Sequence, residues 1–276
     1  MHPLKAAILG LVQGATEFLP VSSSGHLVVA GHLLEPDAGA DEGSWAALVV
    51  LLHLGTLAAV VVYYRQDLWA MARAVTHLRS SPTHGREAAS ARRLLWLILL
   101  GTVPAAVAGL AFKGPIERLL APEHVGHVGT FLWVSGGLVY LAARAQGREA
   151  RPENIAFRDA VLIGVAQACA LMPGISRSGA TIAVGRACGL SEDAAPRLAF
   201  LLSVPAILGG TIVELDALAG LQASDLAGYV VGFAVAAVSG LAAIHTVIRT
   251  LRQRRFYVFA VYCWLLGSVL LLAELL

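Results

Sequence analysis

The hydrophobic positions of this chain fall into long runs, at residues 45–64, 94–112, 126–143, 198–215, 226–248 and 256–272. A run of about 20 apolar residues predicts a helix that crosses a bilayer. Pro104 and Pro205 lie inside two of the runs and read as kinks. Two further stretches, 6–34 and 160–190, are apolar at their flanks but interrupted in the middle by proline, glycine, serine and charge. The first has the core GLVQGATEFLPVSSSGHL at residues 10–27, which carries Gln13, Glu17, three consecutive serines and His26. A carboxylate at membrane depth costs about 2.5–3.5 kcal/mol even on lenient scales, so it faces a protein interior or a water-filled cavity. These polar positions read as a site.

The 14 residues 6–19 would make about 21 Å of helix, short of a hydrocarbon core about 30 Å thick. Pro20 ends that helix, and Ser22, Ser23 and Ser24 offer N-caps for a second one through Leu34. Two half-helices around a polar break predict a re-entrant hairpin, whose irregular backbone is tolerated at depth only where protein buries it or it lines a cavity. The second interrupted stretch, with the core LMPGISRSGAT at residues 171–181, repeats the first. A shift of 154 positions sets Gly10 on Gly164, Gln13 on Gln167, Ser22 on Ser176, Ser24 on Ser178, Gly25 on Gly179 and Gly31 on Gly185 without a gap. It also carries Leu54 and Gly55 onto Leu208 and Gly209. Each repeat, about 1–145 and about 157–276, therefore holds one hairpin and three spans.

Three spans per repeat is odd, so the halves enter the membrane from opposite sides. All Lys and Arg residues except Lys5, Lys113, Arg118 and Arg177 fall on one side of this arrangement, including a connection at 65–93 read as a loop. The excess marks the cytoplasmic side and puts both termini and the mouth of the first hairpin outside. Composition agrees: the 276 residues are 57% hydrophobic and only 14% charged, against about 25% charged in soluble domains. The expectation is one all-α integral membrane domain over residues 1–276, six transmembrane helices plus two re-entrant helical hairpins in an inverted-topology repeat. Nucleic acid is excluded as a partner, and the arginine clusters report topology or contacts to anionic lipid heads. Cys169, Cys188 and Cys263 lack metal-ligand spacing and read as packing residues. His53 and the His124/His127 pair read as packing or surface residues, and the N-terminus reads as uncleaved.

Gln13 and Glu17 lie four apart, on one helix face, and can address a single ion or substrate. The helix start near Ser23 offers unpaired N–H groups and a positive dipole end, which suit phosphate. The turn from Gly174 to Gly179 repeats that device and adds Arg177, whose planar fork matches phosphate oxygens. An acidic residue beside a phosphate site repels the ligand unless it holds a divalent cation or acts as a base, and both roles belong to hydrolysis. Broken helices in inverted repeats are also carrier architecture, so a membrane carrier or flippase for a phosphate-bearing lipid or anion is the alternative.

The run from Gln13 to His26 and the run from Pro173 to Thr181 resemble the two signature motifs of the undecaprenyl-diphosphate phosphatase family, the bacitracin-resistance proteins. Length, repeat and topology extend the likeness over essentially the whole chain. The resemblance implies removal of one phosphate from undecaprenyl diphosphate, which recycles the lipid carrier for peptidoglycan and cell-envelope synthesis and confers bacitracin resistance. It implies a divalent cation, Mg2+ or Ca2+, and a multi-pass protein of the bacterial cytoplasmic (inner) membrane whose site opens outside. By position, Glu17 becomes the base or metal ligand, with Gln13 a second possible ligand, Ser23 the nucleophile and His26 the histidine that follows it. Arg177 grips the diphosphate, and Ser22, Ser24, Gly25, Gly174, Ser176, Ser178, Gly179 and Thr181 flank it. Gln13 departs from the pattern, since many relatives carry glutamate there. Attack by Ser23, by His26 or by a metal-activated water is left open by the residues alone, and Ser23 is the choice taken here. A homodimer through apolar helix faces is a further expectation.

Overall fold

The computed structural model describes residues 2–34, 42–76, 85–115, 125–145 and 150–275, and it is almost entirely helical. The helices are α1 (Pro3–Phe18), α2 (Ser23–Leu34), α3 (Glu42–Tyr63), α4 (Arg65–Thr76), α5 (Gly85–Ala111) and α6 (Val125–Arg144). They continue with α7 (Phe157–Cys169), α8 (Arg177–Ala187), α9 (Ala194–Val213), α10 (Leu226–Arg252) and α11 (Tyr257–Leu275). Among the described residues there is no strand, and the one bridge joins Ala150 to Leu190. Among the described residues, five helices are long and apolar enough to cross a membrane: α3, α5, α9, α10 and α11. The outward faces agree. On α5, Trp96, Val103, Val107 and Leu110 are 52–70% exposed, a wall of apolar surface suited to contact with lipid.

Helix breaks fall where the polar interruptions do. α1 stops at Phe18 before Pro20, and α2 starts at Ser23; α7 stops at Cys169 and α8 starts at Arg177. Small residues then let helices of the first half lie against those of the second. Gly10 of α1 meets the Gly232 carbonyl of α10, and Gly14 meets Ala236 and Gly240 one turn on, so the two helices run parallel. A Cβ on Gly14 would stand 2.3 Å from the Ala236 carbonyl oxygen, closer than carbon can approach. Likewise Gly164 of α7 lies on Gly101 of α5, again parallel. α6 and α11 pack antiparallel through Gly129 and Gly267, with the Trp264 indole donating to the Trp133 carbonyl at 3.2 Å. Under the end of α1, the buried Phe18 ring sets its edge against Phe200 of α9, centroids 5.3 Å apart.

Three expectations need correction. Most of 65–93 is helix rather than loop: α4 is amphipathic, with Met71 and Ala74 buried, and α5 begins at Gly85. Residues 77–84 lie outside the described residues. The arginines there conceal an apolar face at Leu68, Met71 and Ala74, a spacing of three that was masked by the charge count. Asp67 in the first turn and Arg73 in the last favour that helix through its dipole. Helices also outrun the apolar runs, since α10 continues to Arg252, because apolarity marks the lipid depth and not the end of backbone bonding. Of the cysteines only Cys263 is buried; Cys188 is half-buried and Cys169 exposed, so Cys169 is no packing residue within the chain. His124 of the histidine pair lies outside the described residues, and His127 is exposed.

The basic end is laced rather than bare. Arg197 of α9 pairs with Asp67 of α4 at 2.5 Å, Arg252 of α10 with Asp193 at 2.6 Å, and Arg93 of α5 donates to the carbonyls of Glu153 and Ile155. The exposed pairs contribute little each, but together they join elements distant in sequence.

Candidate active site

The two helix breaks bring residues 160 positions apart into contact. Glu17, in the last turn of α1, is 7% exposed, and both its oxygens are engaged. Oε1 accepts from Arg177 Nη2 at 2.6 Å; Oε2 accepts from Ser23 Oγ at 2.5 Å and from Gln13 Nε2 at 2.9 Å. A hydroxyl this close to a carboxylate makes a charge-assisted bond, the arrangement in which a base holds the proton it would remove. Gln13 reaches the carboxylate because it lies one helical turn back on the same face; its Oε1 is buried and has no hydrogen-bond partner among the described residues. Ser23, the first residue of α2, is half-buried.

The turn between α1 and α2 is strained. Ser22 has φ 69°, the left-handed region that a non-glycine residue enters at a cost. Its Oγ accepts from the Gly25 N–H at 3.4 Å and lies 3.3 Å from Ser24 Oγ. In the second turn the positive φ falls on Gly174 (100°), where a Cβ would meet the Val128 carbonyl at 2.6 Å. Ser176 takes an extended backbone there and caps α8 by accepting from the Gly179 N–H at 3.1 Å. The turns that align in sequence are thus not copies in backbone geometry.

The remaining hydroxyls are spent on building the turns. Ser176 Oγ lies 3.1 Å from Ser178 Oγ, Ser178 donates to the Leu19 carbonyl at 3.2 Å, and Thr181 donates to the Arg177 carbonyl at 2.7 Å. The Ser178 bond ties the second turn to the break after α1. Among the described residues, no protein acceptor meets the N–H groups of Ser23 and Ser24 or of Arg177 and Ser178, so two helix starts present donors beside the Glu17 carboxylate. His26 lies half-buried on α2 next to this group, with Nδ1 2.7 Å from the Ser22 carbonyl.

Sequence reasoning passed over four contributors. His53 of α3 is an electrostatic neighbour of Glu17, and its Nδ1 lies 2.8 Å from the Val49 carbonyl. Its signal was available, because an ionisable residue inside an apolar span is functional by default. Ser135 of α6 donates to the Gly174 carbonyl at 2.9 Å and accepts from the Ser176 N–H at 2.7 Å, which fixes the second turn. Tyr262 and Cys263 of α11 touch His26 and the Pro20 carbonyl. No sequence spacing links any of these three to the turns. Gln167, by contrast, matches Gln13 in sequence but has no carboxylate four residues on; it is 2% exposed and, among the described residues, neither of its side-chain polar atoms has a partner.

The family model of bacitracin resistance protein BacA matches residues 6–269 of the chain. Among curated relatives, the chain is 42% identical over 273 residues to the undecaprenyl-diphosphatase of Syntrophotalea carbinolica, covering 98% of both. It is 42% identical over 271 residues to that of Rubrobacter xylanophilus, covering 96% of both. The identity is 34% over 280 residues to that of Methanobrevibacter smithii, covering 100% of this chain and 99% of the relative. Matches that run end to end include both polar turns and every helix described above, and this chain belongs to the bacitracin resistance protein BacA family.

Proposed function

We propose that this protein hydrolyses undecaprenyl diphosphate to undecaprenyl phosphate and inorganic phosphate, returning the lipid carrier to envelope synthesis and conferring bacitracin resistance. The observation that carries the reading is the buried chain Arg177–Glu17–Ser23, assembled from both helix breaks. In the resting protein Arg177 neutralises Glu17. An arriving diphosphate offers Arg177 a second anion and accepts from the N–H groups at the starts of α2 and α8. Ser23 then attacks the terminal phosphorus as Glu17 takes its proton, and undecaprenyl phosphate leaves. Water releases the phosphate from Ser23 in a second step, with the proton returned to the serine oxygen. Ser22, Ser24, Gly25, Gly174, Ser176, Ser178, Gly179 and Thr181 shape the two turns that position these donors.

A divalent cation, Mg2+ or Ca2+, fits this site as a companion of the substrate. Among the described residues no group of three or more His, Cys, Asp or Glu side chains forms a cation cage. The available donors are Glu17 and the orphaned Gln13 Oε1, and a cation held by one carboxylate takes its remaining ligands from phosphate oxygens and water. When bound, it would neutralise charge on the diphosphate.

Around this site we place six spans, with α6 as the sixth, and two re-entrant hairpins, α1–α2 and α7–α8, in an inverted repeat within one domain. The matched contacts Gly10–Gly232 and Gly101–Gly164 support that symmetry. The protein would sit in the bacterial inner membrane with termini and site mouth outside, and would pair as a homodimer through its apolar outer faces. Purified protein in detergent should release phosphate from undecaprenyl diphosphate, lose the activity in excess chelator and regain it with Mg2+ or Ca2+. Gln13→Ala should raise the cation concentration needed for half-maximal rate about tenfold, in the range lost with a ligand-shell partner. No release under any cation would favour the carrier, tested next by lipid flipping in liposomes.

A further inference from the structure

α11 lies outside both polar turns, yet two consecutive residues of it brace the first. Cys263 Sγ donates to the Pro20 carbonyl at 3.5 Å, and Tyr262 Oη lies 2.7 Å from His26 Nε2. The Tyr262 and His26 rings are nearly coplanar in orientation, 12° apart with centroids at 5.7 Å. The other ring nitrogen, Nδ1, is 2.7 Å from the Ser22 carbonyl. A carbonyl oxygen only accepts, so Nδ1 carries a hydrogen; in the neutral ring Nε2 is then a bare acceptor and the Tyr262 hydroxyl is its donor.

We propose that Tyr262 is a positioning residue for His26, donating to Nε2 and so, together with the Ser22 carbonyl on Nδ1, fixing the ring plane in the resting site. This rests on reading His26 as part of the phosphatase machinery. The Ser23 hydroxyl is bonded to Glu17 and not to His26, so the Nε2 lone pair is not committed to the nucleophile. Without the tyrosine hydroxyl, among the described residues no side chain bonds that nitrogen, and the ring is held through Nδ1 alone, at the Ser22 carbonyl. Tyr262 also keeps a partner for Nε2 if the ring gains a proton, because a hydroxyl can accept as well as donate. Tyr262 is 43% exposed, and its bond to His26 is the polar contact that sets its hydroxyl.

Tyr262→Phe removes the hydroxyl and keeps the ring stack. In the full-length protein in detergent, 15N NMR of labelled histidine, with His26 assigned by loss of its signal in His26→Gln, should show the Nδ1–H tautomer. Tyr262→Phe should keep that tautomer, which the Ser22 carbonyl fixes, but move the Nε2 resonance toward that of an unbonded imidazole nitrogen, while Cys263→Ala, which disturbs the same stretch of α11, should leave the Nε2 resonance unchanged. In turnover, Tyr262→Phe should lower kcat about tenfold with KM within about twofold, a fraction of the 10²–10⁴ that an acid–base group contributes. In a His26→Gln background the same change should cost less than about twofold, because coupled residues are non-additive. An unchanged Nε2 resonance in Tyr262→Phe, an equal shift in Cys263→Ala, or the full tenfold cost in the His26→Gln background would overturn the proposal. Wild-type protein that released no phosphate would defeat the phosphatase reading instead, and the Nε2 comparison, which needs no substrate, would still decide the role of Tyr262.

Discussion

Glu17→Gln lowers turnover of undecaprenyl diphosphate by about 10³-fold or more while the protein stays folded. Two losses combine. The amide cannot take the Ser23 proton, and general-base catalysis is worth about 10²–10⁴. The side chain also loses its charge, so the Arg177 guanidinium, 2.6 Å away and 80% buried in the pair, stands without a counter-ion. Folding survives because glutamine keeps the shape and can still hydrogen-bond Ser23 through its oxygen. Steady-state kinetics should place the loss in kcat, since the substrate's phosphates gain attraction when a neighbouring negative charge disappears. Detergent-resistant folding of the variant is checked by its melting profile and its elution volume.

Arg177→Ala is the second large effect, and its signature differs. Removing the guanidinium leaves Glu17 buried and unpaired, which costs about 3–5 kcal/mol where a buried pair is broken from one side. It also removes the cation proposed to grip the diphosphate, so KM should rise and kcat fall, with kcat/KM down by about 10³-fold or more. Arg177→Lys restores charge but not the planar fork, and should recover stability more than activity. The double variant Glu17→Gln, Arg177→Ala separates the two losses. With no charge left buried, its melting temperature should return most of the way to wild type while activity stays absent. A melting temperature lower than that of Arg177→Ala alone would show that the pair does not carry the cost assigned to it.

Much of this site was legible before any coordinates. Glu17 and Arg177 were exposed as outliers by the price of charge in lipid, and the 154-residue repeat put them in matching breaks. The contact between them was not legible, because a repeat gives correspondence and not proximity; only the interlock of α1 with α10 and α5 with α7 sets the breaks face to face. Backbone detail was also hidden. Ser22 and Ser176 align, but the first turn places its left-handed residue at the serine and the second at Gly174. α4 was missed for a physical reason, since arginine density speaks to membrane side and says nothing about an amphipathic helix lying beneath it. Tyr262 was invisible because its partner is 236 positions away and an aromatic residue in an apolar helix is ordinary.

In the proposed reaction Ser23 Oγ, activated by Glu17, is the atom that attacks phosphorus. The most direct test is phosphate release from undecaprenyl diphosphate by purified wild type and Ser23→Ala under identical cation. Ser23→Ala should lower kcat by about 10³-fold or more, in keeping with removal of a nucleophile acting with its base, and leave KM close to that of wild type. A Ser23→Ala protein that releases phosphate within about tenfold of the wild-type rate would contradict that role and move the attack to water or His26.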